Sequence, residues 1–455
     1  MGNKLVVKLV LVFSAVASLV AGCNGPKTKK NTAENTATTV SYTDKELMDK
    51  VQRQTFDYFW EGAEPISGLA RERIHLDNVY PEHDKDIVTI GGSGFGLMAI
   101  LVGVERGFIT REQALERYET TIDFLTKADR FHGAWPHWLI PTGKTAPFSK
   151  HDDGGDLVET AFLIQGLLTV KEYFKDGNER EKQLVETIQK LWEEVEWDWY
   201  TKGGKNALYW HWSPNHKWKM NFKVMGYNEA LIMYVLAASS PTHPVSKEVY
   251  TKGWARNGDI SNGTTYYDLD TELDHYPGGN SPVGPLFWAH YSHLGLNPKG
   301  LKDQFGDYWK LNQNHALIHY RHSVENPNDF KGYGEKCWGL TSSYSINGYT
   351  AHRPDKDISV ISPTAALSSM PYTPKESLRF LRFMYEEQDS LIGKYGPYDA
   401  FSLEEDWYVP RYLAIDQGPI PVMIENHRTG LLWKLFMQNQ DVRKGLEKLG
   451  FTSSN

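Results

Sequence analysis

Apolar residues recur along the chain in two alternating registers. Residues 94–106 (GFGLMAILVGVER) are apolar on nearly every side, which predicts a helix buried all round. Residues 114–128 confine their apolar positions to one stripe, which predicts an amphipathic partner, with Gly107-Phe108-Ile109 turning the chain between them. The succession returns. Residues 157–174 precede 179–196, and 228–238 precede a weaker segment near 246–254. Likewise 285–294 precede 311–324, 364–370 precede 375–388, and 419–437 precede 441–449. Three capping boxes mark helix starts: Thr43-Asp44-Lys45-Glu46, Thr110-Arg111-Glu112-Gln113 and Thr373-Pro374-Lys375-Glu376. The first opens a helix reaching about Trp60, and the third has proline at the first helical position. No stretch alternates strands with helices, so a doubly wound sheet is excluded. The pattern predicts an all-α fold, an (α/α)6 barrel, with apolar helices inside and amphipathic helices outside. Its rival, an α-solenoid, needs a fixed repeat that the chain lacks. Long loops such as 202–224 and 258–282 are the natural carriers of function.

The N-terminus follows a different rule. Lys4 and Lys8 flank an apolar run over residues 9–22, too short to span a bilayer and suited to a signal-peptide core. It ends Leu19-Val20-Ala21-Gly22-Cys23, the pattern of a bacterial lipobox, in which the cysteine is lipidated and becomes the mature N-terminus. Residues 1–22 are therefore expected to be a lipoprotein signal peptide. Residues 23–41 are polar and predict a flexible tether, and residues 42–455 a single catalytic domain. Residues after Cys23 are basic, which favours a periplasm-facing anchor over the cell surface. Cys337 then has no partner for a disulfide and reads as packing.

Composition narrows the chemistry. A 40% hydrophobic chain of 455 residues excludes global disorder. A formal net charge of −8 argues against nucleic acid as partner. Fifteen Trp and 25 Tyr, many in polar glycine-rich stretches, suit either large-area core packing or the stacking of sugars. Gly94-x-Gly96-x-x-Ala99 has no preceding strand and is not a dinucleotide motif. No H-E-x-x-H, paired-cysteine, Walker or G-x-S-x-G pattern occurs, so neither metal, cofactor nor serine nucleophile is expected. A monomer is expected.

Carboxylates among aromatics are the informative signal. In His151-Asp152-Asp153-Gly154-Gly155-Asp156-Leu157-Val158-Glu159, Asp156 and Glu159 share a helix face. They also make an ordinary cap and first-turn pair. Glu229, in Gly226-Tyr227-Asn228-Glu229-Ala230, sits at a helix start among apolar neighbours, where burial raises and the helix terminus lowers its pKa. Asp416 enters a helix through Gln417-Gly418-Pro419. Asp268, Asp270, Glu272 and Asp274 alternate along a loop that reads as solvated.

Four of these segments appear together and in order: Asp152-x-x-x-Asp156-x-x-Glu159, Gly226-Tyr227-Asn228-Glu229-Ala230, Cys337-Trp338-Gly339-Leu340-Thr341, and Asp416-Gln417-Gly418-Pro419 followed by Glu425-Asn426-His427-Arg428-Thr429-Gly430. Together they resemble the glycoamylase-like proteins of Bacteroidetes, and more narrowly the β-1,2-glucan hydrolases of glycoside hydrolase family 144. The resemblance spans residues 42–451. It implies an (α/α)6 barrel, hydrolysis of β-1,2-glucan internally or by release of sophorose, and cleft acids at Asp152, Asp156, Glu159, Glu229 and Asp416. Glycoside hydrolysis needs one protonated and one ionised carboxyl and no cofactor. Glu229 is expected as general acid and Asp416 as base, with Asp156 as second choice for the base. Glu159 and Asp152 would orient it or bind sugar, and inversion is expected. Trp135, Trp138, Trp210, Trp212, Trp218, Trp288, Trp338 and Trp407 are the candidate sugar platforms. Two alternatives stand: an α-glucan-cleaving glucoamylase on the same fold, and a non-catalytic glycan-binding lipoprotein.

The lipobox has a direct test. Cys23→Ala should move the protein from the membrane to the soluble fraction of a bacterial lysate. A variant that stays membrane-bound would place the anchor elsewhere.

Overall fold

The computed structural model describes residues 41–80, 84–276 and 281–453. Cys23, the signal peptide and the tether lie outside these residues. The described chain is predominantly helical, and its strands are two or three residues long.

Helix α1 (Asp44–Trp60) opens on the Thr43 capping box, and α3 (Arg111–Lys127) on that of Thr110. Between them runs α2 (Ile90–Glu105), buried from Ile90 to Gly103. Helix α4 (Leu157–Phe174) is buried on nearly every side, whereas α5 (Glu179–Glu193) buries one stripe. Helix α6 (Leu231–Ser239) is wholly buried. After the single turn α7 (Lys247–Val249) come α8 (Tyr308–Glu325), α9 (Pro363–Leu367) and the amphipathic α10 (Pro374–Glu386). The chain ends with α11 (Ala414–Gln417), α12 (Pro419–Arg428), α13 (Leu431–Gln438) and α14 (Gln440–Leu449).

The apolar helices α2 and α4 form the centre of the core, and glycine lets them touch. A Cβ on Gly94 would lie 2.3 Å from the Phe162 carbonyl, and one on Gly166 would lie 2.2 Å from the Gly94 carbonyl. The two backbones therefore cross without side chains between them.

Several expected helices differ. Residues 285–294 form two 3-10 turns, Leu286–Ala289 and Tyr291–His293, because Pro285 and Gly295 bound too short a run for a stable α-helix. Residues 419–437 break at Gly430, whose φ is 71°. There the Asn426 side chain accepts from the Leu432 and Trp433 N–H groups and starts α13. The segment near 246–254 is one α turn followed by a π turn over Tyr250–Trp254. The expected capping box at Thr373 is not made, because its hydroxyl bonds Ser369 and Ser377 instead.

Short antiparallel ribbons precede the inner helices. Val88–Thr89 pairs with Trp138–Leu139 and leads into α2, and Gly155–Asp156 pairs with His211–Trp212 and leads into α4. Arg411–Leu413 pairs with Arg73–His75 and leads into α11. The ribbons set the N-termini of the inner helices side by side.

A methyl group at the α2–α4 crossing has no room. Gly94→Ala should lower stability by about 1–3 kcal/mol through overpacking, read from the denaturant midpoint of unfolding. An unchanged midpoint would show that the two backbones do not touch.

Candidate active site

At that end of the inner helices lies a pocket of about 320 Å³. Glu159 and Glu229 line it, with Trp138, Trp210, Tyr291 and Tyr349 among the aromatic walls.

Asp156 organises one side. Its Oδ1 caps α4, accepting from the Val158 and Glu159 N–H groups at 3.0 Å each. Its Oδ2 takes the Trp210 indole N–H at 2.9 Å and meets His137 Nδ1 at 2.9 Å. His211 Nε2 lies 3.3 Å from the same oxygen and 2.9 Å from Asp152 Oδ2. Burial works against charge on Asp156, but His211 and His137 outweigh it and hold the carboxyl well below its usual range. Burial likewise opposes charge on the two imidazoles. For His137 the carboxylates of Glu159, Asp156 and Asp152 prevail and raise it to about 9. For His211, Asp156 and Asp152 raise it to about 10. Asp152 and Asp156 are thus neutralised by imidazolium. The ligand atoms of His137, Asp152, Asp156 and His211 all lie within 4.8 Å of one another. No single sequence motif announces this cluster, because its members come from three separate segments, and a divalent cation would bind it only by displacing the imidazolium protons.

Glu159 and Glu229 are set differently. Glu159 stands in the first turn of α4, with Oε2 accepting from the Gly91 N–H at 2.8 Å. A Cβ on Gly91 would lie 2.4 Å from that oxygen, so any side chain here would push the Glu159 carboxylate out of place. Burial pushes Glu159 up to about 7, against the pull of His137. Glu229 precedes α6, and its backbone carbonyl accepts from the Ser292 hydroxyl. Burial also raises Glu229 to about 7, with a further push from Glu159 and Asp156. Its neighbour Tyr227 is fixed from the core, donating to Asn312 Oδ1 at 2.9 Å and lying 3.4 Å from His315 Nδ1. His315 and His319 in turn both point Nε2 at the Gly284 carbonyl, at 2.7 and 2.9 Å.

Asp416 is not on the pocket wall. It lies in α11 behind Tyr291, whose hydroxyl donates to it at 3.4 Å. Burial and the adjacent Asp399 carboxyl push it well above the usual carboxylate range, and Asp399 itself rises to about 6, chiefly through burial. Asp152 is buried behind the two histidines.

The indoles divide. Trp138 and Trp210 line the pocket. Trp135 is wholly buried with its N–H on the Leu125 carbonyl, and Trp338 is wholly buried with its N–H on the Glu376 carbonyl. Both are core residues, a correction to the expectation that they are sugar platforms. Trp288 packs on Tyr276, and Trp407 sits in a hairpin opposite Ser402, so neither lines the pocket. Trp212 packs on His132 beyond the pocket. The alternating acids also disperse: Glu272 pairs with Lys310 and Asp274 with Arg256. His137 and His211 carry no motif of their own in the sequence, although each adjoins a candidate tryptophan, Trp138 and Trp210.

Two high-pKa carboxyls in an aromatic pocket on a helical frame are the arrangement of a glycoside hydrolase. A glycoamylase family model, described as glucoamylase, matches residues 221–440. An endo-β-1,2-glucanase from Chitinophaga pinensis, solved with sophorotriose and glucose, is 57% identical with a TM-score of 0.89. The match covers 91% of this chain and 99% of that one. An exo-β-1,2-glucooligosaccharide sophorohydrolase from Parabacteroides distasonis is 45% identical over 91% of this chain, and this chain spans 59% of its length. A glucoamylase from Hormoconis resinae shares the fold alone, at 9% identity and a TM-score of 0.50, covering 85% of this chain and 73% of its own. The chain belongs to the glycoamylase-like family.

The imidazolium pair has a pH signature. Both groups have folded pKa values raised above the unfolded value of about 6.5, so their stabilisation is full below that pH. It is lost as pH rises through about 9 and 10. Melting temperature should fall between pH 7 and 10, and His211→Asn should flatten that slope. An equal slope in the variant would show that His211 is neutral.

Proposed function

We propose that this chain is a glycoside hydrolase that cleaves β-1,2-linked glucan. The observation that carries the reading is the pair Glu159 and Glu229, both raised to about 7 by burial and both lining one aromatic pocket. The relatives named for β-1,2-glucan support the substrate class, since their likeness runs over nine-tenths of this chain.

Glu229 is the general acid. No imidazolium faces it, and burial outweighs the one backbone N–H that favours its ionised form, so it keeps its proton near neutrality. Glu159 serves as base in place of Asp416. It faces His137 and the Gly91 N–H, and both favour its charged form. Asp416, raised beside Asp399 and off the wall, is a poor acceptor for a water proton. Glu229 then gives its proton to the glycosidic oxygen as the C1–O bond breaks. Water adds to C1 and loses a proton to Glu159, which inverts the anomeric centre. Asp156, His137 and His211 orient Glu159 and the Trp210 ring.

The same proposal extends to architecture and place. The inner helices and their outer partners close as six hairpins, an (α/α)6 barrel, and the glucoamylase likeness supports this. Residues 42–455 are the catalytic domain. The lipobox at Cys23 supports a membrane anchor facing the periplasm, with one chain acting as a monomer.

Incubating the protein with β-1,2-glucan and with starch, and separating the products by chromatography, tests the substrate. Glucan cleavage with starch untouched is expected, and cleavage of starch alone would replace the proposal with an α-glucan enzyme. Glu229→Gln should lose about 10²–10⁴-fold in turnover at unchanged melting temperature. Near-normal turnover in a folded variant would move the acid role to Glu159. A first product with retained β configuration, read by NMR, would replace inversion with double displacement.

A further inference from the structure

The ribbon that brings His211 to Asp156 places Trp212 opposite Gly155. The Trp212 ring lies 4.9 Å from His132 and 6.1 Å from Trp199, centroid to centroid. Here, beyond the pocket, a slot of about 580 Å³ opens between Trp199 and Trp218. Glu196, Asp198, Lys202 and His243 complete its walls.

Trp199 is 39% exposed, more than any other tryptophan among the described residues. Its ring is nonetheless held in place. One face stacks on His132 at 3.7 Å and 15°, and His132 Nδ1 is fixed 3.0 Å from the Glu196 carboxylate. Trp218 lies 6.4 Å from Trp199 at an angle of 31°, braced edge-on by Tyr200 and Tyr209. The result is an open V of two fixed indoles. On its rim, Asp198 holds His243 Nδ1 at 3.2 Å. Trp218 packs against the core, but Trp199 keeps over a third of its surface in water although its ring is held, and apolar burial gains nothing from that placement.

The chemistry of the slot selects its occupant. Apolar aromatic faces suit the C–H face of a pyranose, and carboxylates and imidazole suit its hydroxyls. An apolar protein segment would desolvate the Glu196–His132 and Asp198–His243 pairs and offer nothing to their remaining hydrogen-bond sites. The carboxylates disfavour an anion. We propose that the Trp199–Trp218 slot is an outer carbohydrate site that holds a glucosyl unit of the substrate chain beyond the catalytic pocket. It rests on the glucan reading above for the identity of the sugar. Trp210 lines the pocket and Trp212, two residues on, packs near Trp199, so a chain following this segment outward would meet the slot only when long.

The test compares wild type with Trp199→Ala and Asp198→Asn on long β-1,2-glucan and on its tetrasaccharide. Native gels containing the glucan report binding independently of turnover. Trp199→Ala should raise KM for the long chain about two- to tenfold, the range of an aromatic contact, with kcat unchanged. Tetrasaccharide kinetics should stay at wild-type values, and gel retardation should weaken. Asp198→Asn, which leaves the His132–Trp199 stack in place, should show a smaller shift in the same direction. Wild-type retardation and long-chain KM in both variants would overturn the proposal, as would equal losses on both substrates. Wild type that leaves β-1,2-glucan intact would overturn the function instead. Gels cast with starch, xylan or β-1,3-glucan would then decide the slot: retardation lost in Trp199→Ala upholds a carbohydrate site, and no difference with any glycan refutes it.

Discussion

One buried carboxylate, Asp156, carries the organisation of the site. It begins α4 by capping two of its N–H groups, anchors the Trp210 indole, and draws His137 and His211 into charge. A single unpaired carboxylate at full burial would be intolerable. Here it is tolerated because every partner it needs comes from an element it also positions. Removing it would take away a helix cap, an aromatic wall and the counter-charge of two imidazolium groups together.

The rest of the chemistry follows from withholding that provision elsewhere. Glu229 is buried to a similar depth but meets no cation, so the same low dielectric that strengthens the Asp156 contacts lifts its pKa. Glu159 lies between the two cases. It has one N–H donor and a nearby imidazolium, yet it remains raised. Three acids at neighbouring helix starts thus divide in two: Asp156 is held ionised by its partners, while Glu159 and Glu229 are both raised by burial.

Much of this is legible in the chain itself. The apolar run of α4 was placed to the residue, and the Thr43 and Thr110 boxes are made as their spacing demands. Asp156, Glu159 and Glu229 meet at one end of the core because each sits at the start of an apolar helix, a property visible locally. What local pattern could not supply was partnership across the fold. His211 is an ordinary residue until a two-residue ribbon sets it opposite Asp156, and so is His137 until its ring meets the same carboxylate from another segment. Asp416 looked like an aimed base from its Gly-Pro turn, but Asp399, seventeen positions earlier, was invisible as its neighbour. Trp135 and Trp338 lie in polar stretches and yet are core, because their indole N–H groups find backbone carbonyls inside.

The Gly284 carbonyl, shared by His315 and His319, has a spectroscopic consequence. Both imidazoles must carry their proton on Nε2, and His275, which accepts from the Gly284 N–H through Nδ1, must do the same. Three rings are therefore locked as one tautomer around a single residue. Nδ1 of His315 faces Tyr227, two positions from Glu229. The nitrogen chemical shift of that one ring would register any movement of the acid-bearing segment from within the core, where a bound sugar never reaches.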